Sequence, residues 1–444
     1  MDPGAAARVD TGLLSPVSAG ADAIVSDDAV VAALVRAEVA LAQALQSVGA
    51  APDAAVAGIE RAAATLTIDA SELAAEAVRD GNPVGAIVGR LRAGVADAET
   101  ASWVHRGTTS QDILDTALAI VAQRAIGVVL GDLNRTIAAL AGLAQRYRDT
   151  PAAARTLTQH AVPTTLGARF ADWLIQVADA RDELARCGLP SQLGGAAGTL
   201  AVLVEELGVE IASKVPAAFS QAAGLSWFDA PWHTRRTAIT RLGDGLTRVT
   251  DALGRIAADV ANLSRTEIAE LSEGSGGGST AMPQKRNPVR SVLIRSAALR
   301  APSLAAGLHI AAANAIDERP DGAWHAEWPE LRELLRLALG AAAHGALLSE
   351  GLTVDEAAVA RNLRASNGLI MAERIMLSLG PFLGAPEVQR LIDRAAAGED
   401  LATLLADEPA LLGFDVGPIL DPSGYIGFTG VLVDRAVARA RPAA

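Results

Sequence analysis

The sequence predicts an all-α fold, and three observations carry that expectation. Alanine and leucine dominate the 444 residues while aromatic residues make up only 3%, a composition that favours helices packed closely through small side chains. Apolar residues recur at helical spacing along much of the chain, with no internal repeat, low-complexity linker or alternating strand pattern. Three stretches, Gln111 to Arg148, Thr234 to Leu271 and Pro288 to Ile316, read as long helices with few breakers. At about 1.5 Å per residue the first two run roughly 55 Å, so they need long partners to cover their apolar stripes. A multi-helix bundle, which subunits could share, is the natural solution.

Taken in order, the first helix spans Ala29 to Val48, with Val31, Leu34, Leu41, Leu45 and Val48 on one stripe. Asp27 and Asp28 stand at its dipole-favoured start and Gly49 ends it. Shorter helices follow to about Ala96, broken by the turn Asp80-Gly81-Asn82-Pro83. Residues 1–106 therefore read as an N-terminal helical domain and residues 107–350 as the central long-helix domain. Within the latter, the stripe of Leu253, Ile256, Ala257, Val260 and Leu263 fits either intrachain core or an oligomer interface. Beyond Gly351 the helices shorten, and Gly380, Pro381, Gly413, Pro418, Pro422 and Gly424 punctuate a small C-terminal helical domain, 351–444.

Charge and cysteine usage exclude several classes. A net charge of -13 without any basic run argues against nucleic acid or an acidic membrane as partner. The lone cysteine, Cys187, rules out an internal disulfide framework and reads as a small buried apolar residue rather than a nucleophile. Met1 to Asp10 lacks the basic segment and apolar core of a signal peptide, and no run of about 18 uncharged apolar residues occurs. The expectation is a cytoplasmic protein.

Three polar clusters stand before helices. The richest is Glu273 to Pro288, with four glycines, hydroxyls and a lysine between two helical patterns, which reads as a mobile catalytic loop. Asn287 and Pro288 read as the N-cap and first residue of the next helix, whose N-terminus attracts anions. Only two of the 38 basic residues are lysines, Lys214 and Lys285, and Lys285 lies in this loop. The second cluster, Trp103 to Asp112, offers His105, Arg106, Thr108, Thr109 and Ser110, with Thr109 or Ser110 able to cap the helix that follows. The third, Arg155 to Thr165, places Thr158, Gln159 and His160 before a helix that Pro163 would start. Each alone is most simply a cap or a packed polar residue. Together they suit a substrate carrying several carboxylates.

These residues resemble the fumarase/aspartase superfamily. Its signature Gly-Ser-Ser-x-Met-Pro-x-Lys-x-Asn is matched by Gly278-Ser-Thr-Ala-Met-Pro-Gln-Lys-Arg-Asn287, with Thr280 in place of the second serine. The resemblance implies a three-domain helical subunit, a homotetramer around a central helix bundle, active sites assembled from three subunits, and β-elimination or its reverse next to a carboxylate. Within the superfamily the chain is most similar to the bacterial 3-carboxy-cis,cis-muconate cycloisomerases, through Leu13 to Pro16, Gly81 to Val84, His105 to Thr116, Gly322 to Trp328, Asn367 to Arg374 and Leu420 to Gly427. The hydrolytic and deaminating relatives resemble one another in a His-Glu pair; this chain has Leu157 and Val292 at those places. Relatives that expel an amine benefit from proton delivery to it, whereas a lactone opening expels a carboxylate, already a stable anion.

The resemblance implies an intramolecular lyase acting on a small tricarboxylate, with no cofactor and no metal. Ser279 aligns with the family's catalytic serine, with Lys285 and nearby amides lowering its pKa and Asn287 assisting. His160 is the alternative proton-transfer group, and His105, Arg106, Thr108, Thr109, Ser110, Thr158 and Gln159 are substrate-binding candidates. Adenylosuccinate lyase is the competing activity, and a catalytically silent helical scaffold, as in lens, the competing class. His325, between Trp324 and Trp328, is a weaker site candidate better explained by packing. His233, His309 and His344 have no functional case.

Overall fold

The computed structural model describes residues 12–274, 277, 278, 282 and 284–440. Helices dominate, as the composition predicts. The longest are Ser110–Arg146, Thr237–Leu263, Val289–Ala313 and Gly322–Gly351. The first is apolar and long enough to cross a membrane by those criteria alone, yet 67% of its most apolar window is buried inside the protein, as in a core helix.

The chain divides into two units. One comprises Met1–Gly131, Asp182–Asp251 and Ser296–Ala343. Here the helix Asp27–Ser47 starts where Ser26 accepts from the Ala29 N–H and ends before Gly49, whose φ is +78°. Leu34, Leu41 and Leu45 are fully buried, while Val31 and Val48 are half-buried. The helix packs against Val215–Ala223, in which Val215 and Phe219 are fully buried. Deep in this unit Arg236 is 3% exposed and bridges two carboxylates, 2.8 Å from Asp115 and 2.6 Å from Glu327. Trp324 Nε1 donates to Asp115 at 2.9 Å. Burial raises the Glu327 carboxyl above its ordinary range even beside that guanidinium.

The other unit comprises Asp132–Arg181, Ala252–Arg295 and His344–Ala444. Its core includes Leu253, Ile256, Ala257, Val260 and Leu263, all at most 4% exposed, which makes that stripe intrachain core. Phe170 lies against Tyr147 and Trp173, and Trp173 Nε1 donates to Asp259 at 2.9 Å. Ile375, Leu379, Val388, Leu391, Leu401 and Leu405 form an apolar cluster in the C-terminal helices, joined by Ala153.

One departure from the expected all-helical pattern matters. Pro151–Thr156 and Gln159–Thr165 are antiparallel strands, with Pro151 opposite Thr165 and Thr156 opposite Gln159. Leu157 and Thr158 make the two-residue turn with φ of +46° and +73°. A turn of this kind ordinarily uses Asn-Gly, and that missing signal is why the hairpin is not legible in the sequence. Pro163 accordingly lies buried in a strand rather than at a helix start, and the helix begins at Leu166.

Candidate active site

The stretch from His105 to Asp112 is organised by one buried carboxylate. Asp112, in the first turn of Ser110–Arg146, accepts through Oδ2 from the Thr109 N–H, Thr108 Oγ1 and the Gly195 N–H at 3.0, 3.0 and 2.9 Å. Its Oδ1 accepts from the Gly194 N–H at 2.9 Å and from His233 Nε2 at 2.7 Å. The cap thus runs opposite to the expected direction: the carboxylate reaches back to the threonines. A side chain at Gly194 would lie 2.8 Å from His233 Cε1, so only glycine lets this loop approach.

His105 has φ of +62°, uncommon for a non-glycine residue. Its Nδ1 stands 2.6 Å from Glu38 Oε1. Arg106 pairs with Glu206 at 2.7 Å and stacks 4.3 Å over Trp103. Thr108, Thr109 and Ser110 are half-buried.

The hairpin is held close to its turn, where Arg155 stands opposite His160. Glu270, fully buried, accepts from Arg155 at 2.5 and 3.1 Å and from Asn362 at 2.9 Å, with Arg169 at 3.5 Å. Burial raises this carboxyl, but those hydrogen bonds and charges outweigh it and leave its pKa below the ordinary value. At the tip, Thr158 and Gln159 are exposed and Leu157 is 97% exposed. His160 is half-buried; burial, then the Arg155 charge, lowers its pKa and favours neutral imidazole.

The glycine-rich loop has an ordered neck. Gly277 pairs with Asn287 and Gly278 with Arg286. Below it, Leu271–Ser272 pairs with Thr353–Val354. Gly274, with φ of +68°, passes so close to the Gly351 carbonyl that a Cβ would sit 2.4 Å from it. Lys285 is exposed, and its N–H donates to the Met282 carbonyl at 3.0 Å. Ser279 lies outside the described residues.

The following helix corrects two expectations. It starts at Val289, with Asn287 in the neck pairing rather than at the cap. Its N-terminal amides are already met by Glu273, which accepts from the N–H groups of Arg290 and Ser291 at 3.0 and 2.8 Å and from Ser291 Oγ at 2.7 Å. An intramolecular carboxylate thus fills the anion position proposed for a ligand.

His105, Arg106, Thr108, Thr109 and Ser110 belong to one unit, and His160, Thr158, Gln159, Lys285 and Asn287 to the other. Both ring nitrogens of His325 face backbone carbonyls, Gly81 at 2.9 Å and Asp321 at 3.1 Å, and its ring packs on Trp324 and Trp328. Cys187 is half-buried rather than buried, and burial raises its thiol pKa, against a nucleophile's role. The sequence reading missed Glu38, Glu270 and His233, each a buried partner of a named residue. Glu38 alone left a signal: four residues after Leu34 and three before Leu41, it is a carboxylate on an apolar stripe. Among the described residues no group of three or more His, Cys, Asp or Glu could hold a metal ion.

Comparison with known proteins adds the chemistry. A family model described as lyase matches residues 19–302. Nitrosuccinate lyase of Streptomyces davaonensis is 45% identical over 98% of this chain and 96% of its own length. The 3-carboxy-cis,cis-muconate cycloisomerase of Bradyrhizobium diazoefficiens is 38% identical over 95% and 97%. The crystal structure of 3-carboxy-cis,cis-muconate lactonizing enzyme from Pseudomonas putida superposes with a TM-score of 0.86 at 34% identity, covering 94% of this chain and 95% of that one.

Proposed function

The chain belongs to the lyase family, within the fumarase/aspartase superfamily, and from that premise we propose that it is a cycloisomerase interconverting 3-carboxy-cis,cis-muconate and 4-carboxymuconolactone. The observation that carries this reading is full-length similarity to several such enzymes in sequence and structure. In the reaction one carboxylate oxygen bonds to the carbon β to a second carboxylate, the double bond opens, and a proton is added at the α carbon. The trianion thus takes up one proton to become the lactone dianion, and the fully protonated acids are isomers. The intermediate carries two negative charges on one carboxyl group, so fixed donors and cations matter more than a nucleophile.

Ser279 is proposed to move the proton at carbon, with Lys285, Asn287 and the loop amides stabilising the doubly charged carboxyl. His160, its pKa lowered by burial and then by the nearby Arg155 charge, is proposed as the alternative proton-transfer group. His105, Arg106, Thr108, Thr109, Ser110, Thr158 and Gln159 are proposed to hold the carboxylates. Sites built by several subunits of a homotetramer, the three-domain division at 1–106, 107–350 and 351–444, and a cytoplasmic location belong to the same proposal.

A second reading rests on the 45% identity to nitrosuccinate lyase. Loss of nitrite from nitrosuccinate removes a proton α to one carboxylate and breaks a C–N bond at the β carbon. Nitrite departs with its electron pair as a stable anion, just as a carboxylate does in lactone opening. Leu157 and Val292, standing where amine-expelling relatives resemble one another in His and Glu, fit both reactions, because neither leaving group needs an acid.

The deciding experiment is an ultraviolet assay for loss of the conjugated diene of 3-carboxy-cis,cis-muconate. Nitrosuccinate, read by nitrite release, and adenylosuccinate, read by fumarate, are run in parallel. Diene loss with lactone formation is expected; nitrite release without diene loss would replace it with the second reading. Ser279→Ala is expected to lower kcat by on the order of 10³-fold or more while leaving substrate binding largely intact, and near-normal turnover would remove the serine from its role.

A further inference from the structure

We propose that Glu38 is a positioning residue for the reaction: its buried carboxylate sets the ring orientation and tautomer of His105, so that Nε2 is the nitrogen presented to a substrate carboxylate. The inference rests on the reading above that His105 meets the substrate, and it adds a residue from a helix outside all three polar clusters.

Four observations converge on the pair. Glu38 is 2% exposed, on a helix face otherwise occupied by Leu34, Leu41 and Leu45. Its Oε1 lies 2.6 Å from His105 Nδ1, and its Oε2 has no hydrogen-bond partner among the described residues. A carboxylate in such surroundings costs stability unless a charged or hydrogen-bonding partner offsets it, so packing alone gives no reason for it. His105 is held at φ +62° and followed by Gly107 at +70°, where a Cβ would meet Leu203 Cδ2 at 2.4 Å. Strain of this kind is kept where the surroundings over-determine a side chain's place. Finally, nearby guanidiniums are engaged elsewhere: Arg106 with Glu206, and Arg92 with the Val104 carbonyl.

Chemically, a carboxylate on Nδ1 makes that nitrogen the N–H donor and leaves Nε2 for the ligand. The imidazole side chain is 18% exposed, against 0% for that of Glu38, so of the two it is the ring that solvent or a ligand can reach. Glu38 therefore acts through His105 and does not touch the substrate itself.

A double-mutant cycle tests this, using Glu38→Gln, which keeps the shape but not the charge, His105→Gln and both together. With whichever substrate the wild type turns over, Glu38→Gln is expected to lower kcat/KM on the order of tenfold, carried mainly by KM, and to add nothing on the His105→Gln background. An effect that multiplies undiminished on that background would overturn the proposal. Should Glu38→Gln not fold, Glu38→Asp carries the same cycle. Proton NMR gives a readout independent of turnover: a far-downfield imidazole resonance present in the wild type and lost in both single variants. Its survival in Glu38→Gln would also overturn the pairing. If the wild type turns over none of the three substrates, the proposed function fails, while this resonance and calorimetric binding of tricarballylate across the same cycle still decide the role of Glu38.

Discussion

The stretch around His105 and the hairpin around His160 are both rich in hydroxyls, yet they are held in opposite ways. In the first, the organising carboxylate lies within the stretch: Asp112 gathers Thr108, Thr109, Gly194, Gly195 and His233, while Glu38 meets His105. In the second, Glu270 comes from elsewhere in the chain and grips Arg155, one residue pair below the turn. The tip, Leu157 to Gln159, stands exposed. One region is thus preorganised by buried charge, and the other presents its polar groups on a two-residue turn. Preorganised donors suit substrate anchoring, where ordering costs are met during folding.

Removing the internal carboxylate should break this contrast most severely. Asp112→Asn deletes the charge that three backbone amides, a hydroxyl and His233 converge on, and a loss of about 3–5 kcal/mol is expected in chemical denaturation. A loss below about 1 kcal/mol would mean that the stretch is held by packing. Arg155→Met should cost less, about 2 kcal/mol, because Glu270 keeps Asn362 and Arg169. An equal loss would show the hairpin to be as strongly bolted as the other region.

The pH dependence sharpens the comparison further. The folded-state pKa of His160 lies below its ordinary 6.5, so the unfolded chain takes up this proton first. The resulting penalty is absent above about pH 6.5 and grows as pH falls from there toward the folded value. His160→Gln should therefore make the acid-side fall in stability slightly shallower, as read from denaturation midpoints between about pH 7 and 5. The smallest effect is expected for Leu157→Ser, at 97% exposure, with stability unchanged within about 0.5 kcal/mol. A larger loss in the isolated protein would show the tip to be covered in solution.

Much of this was legible from local pattern. The first helix, its acidic start and Gly49 follow from short-range rules that tertiary contacts did not override. The loop between Glu273 and Pro288 was visible as glycine and hydroxyl composition, but its neck pairing was not, because Gly277 opposite Asn287 is a contact across ten positions. The hairpin escaped notice because Leu157-Thr158 carries no turn chemistry. The Leu253 to Leu263 stripe was plain as a stripe, though periodicity cannot say what covers it.

By itself, the sequence determined the helical class, the approximate bounds of Ser110–Arg146 and Val289–Ala313 and the three polar clusters, since periodicity, caps and glycines act over a few residues; it overran Thr237–Leu263 and did not show Gly322–Gly351 as one long helix. Only the tertiary structure decided which carboxylates serve them. Glu270 and Glu273 are ordinary acidic residues in the sequence, Glu38 stands out only as a carboxylate on an apolar stripe, and each acquires its role only when burial leaves it one specific set of donors: His105 for Glu38, Arg155 with Asn362 for Glu270, and the first amides of the helix Val289–Ala313 for Glu273. A charge removed from water is stable only where such donors converge, and that convergence is set by chain segments far apart in sequence.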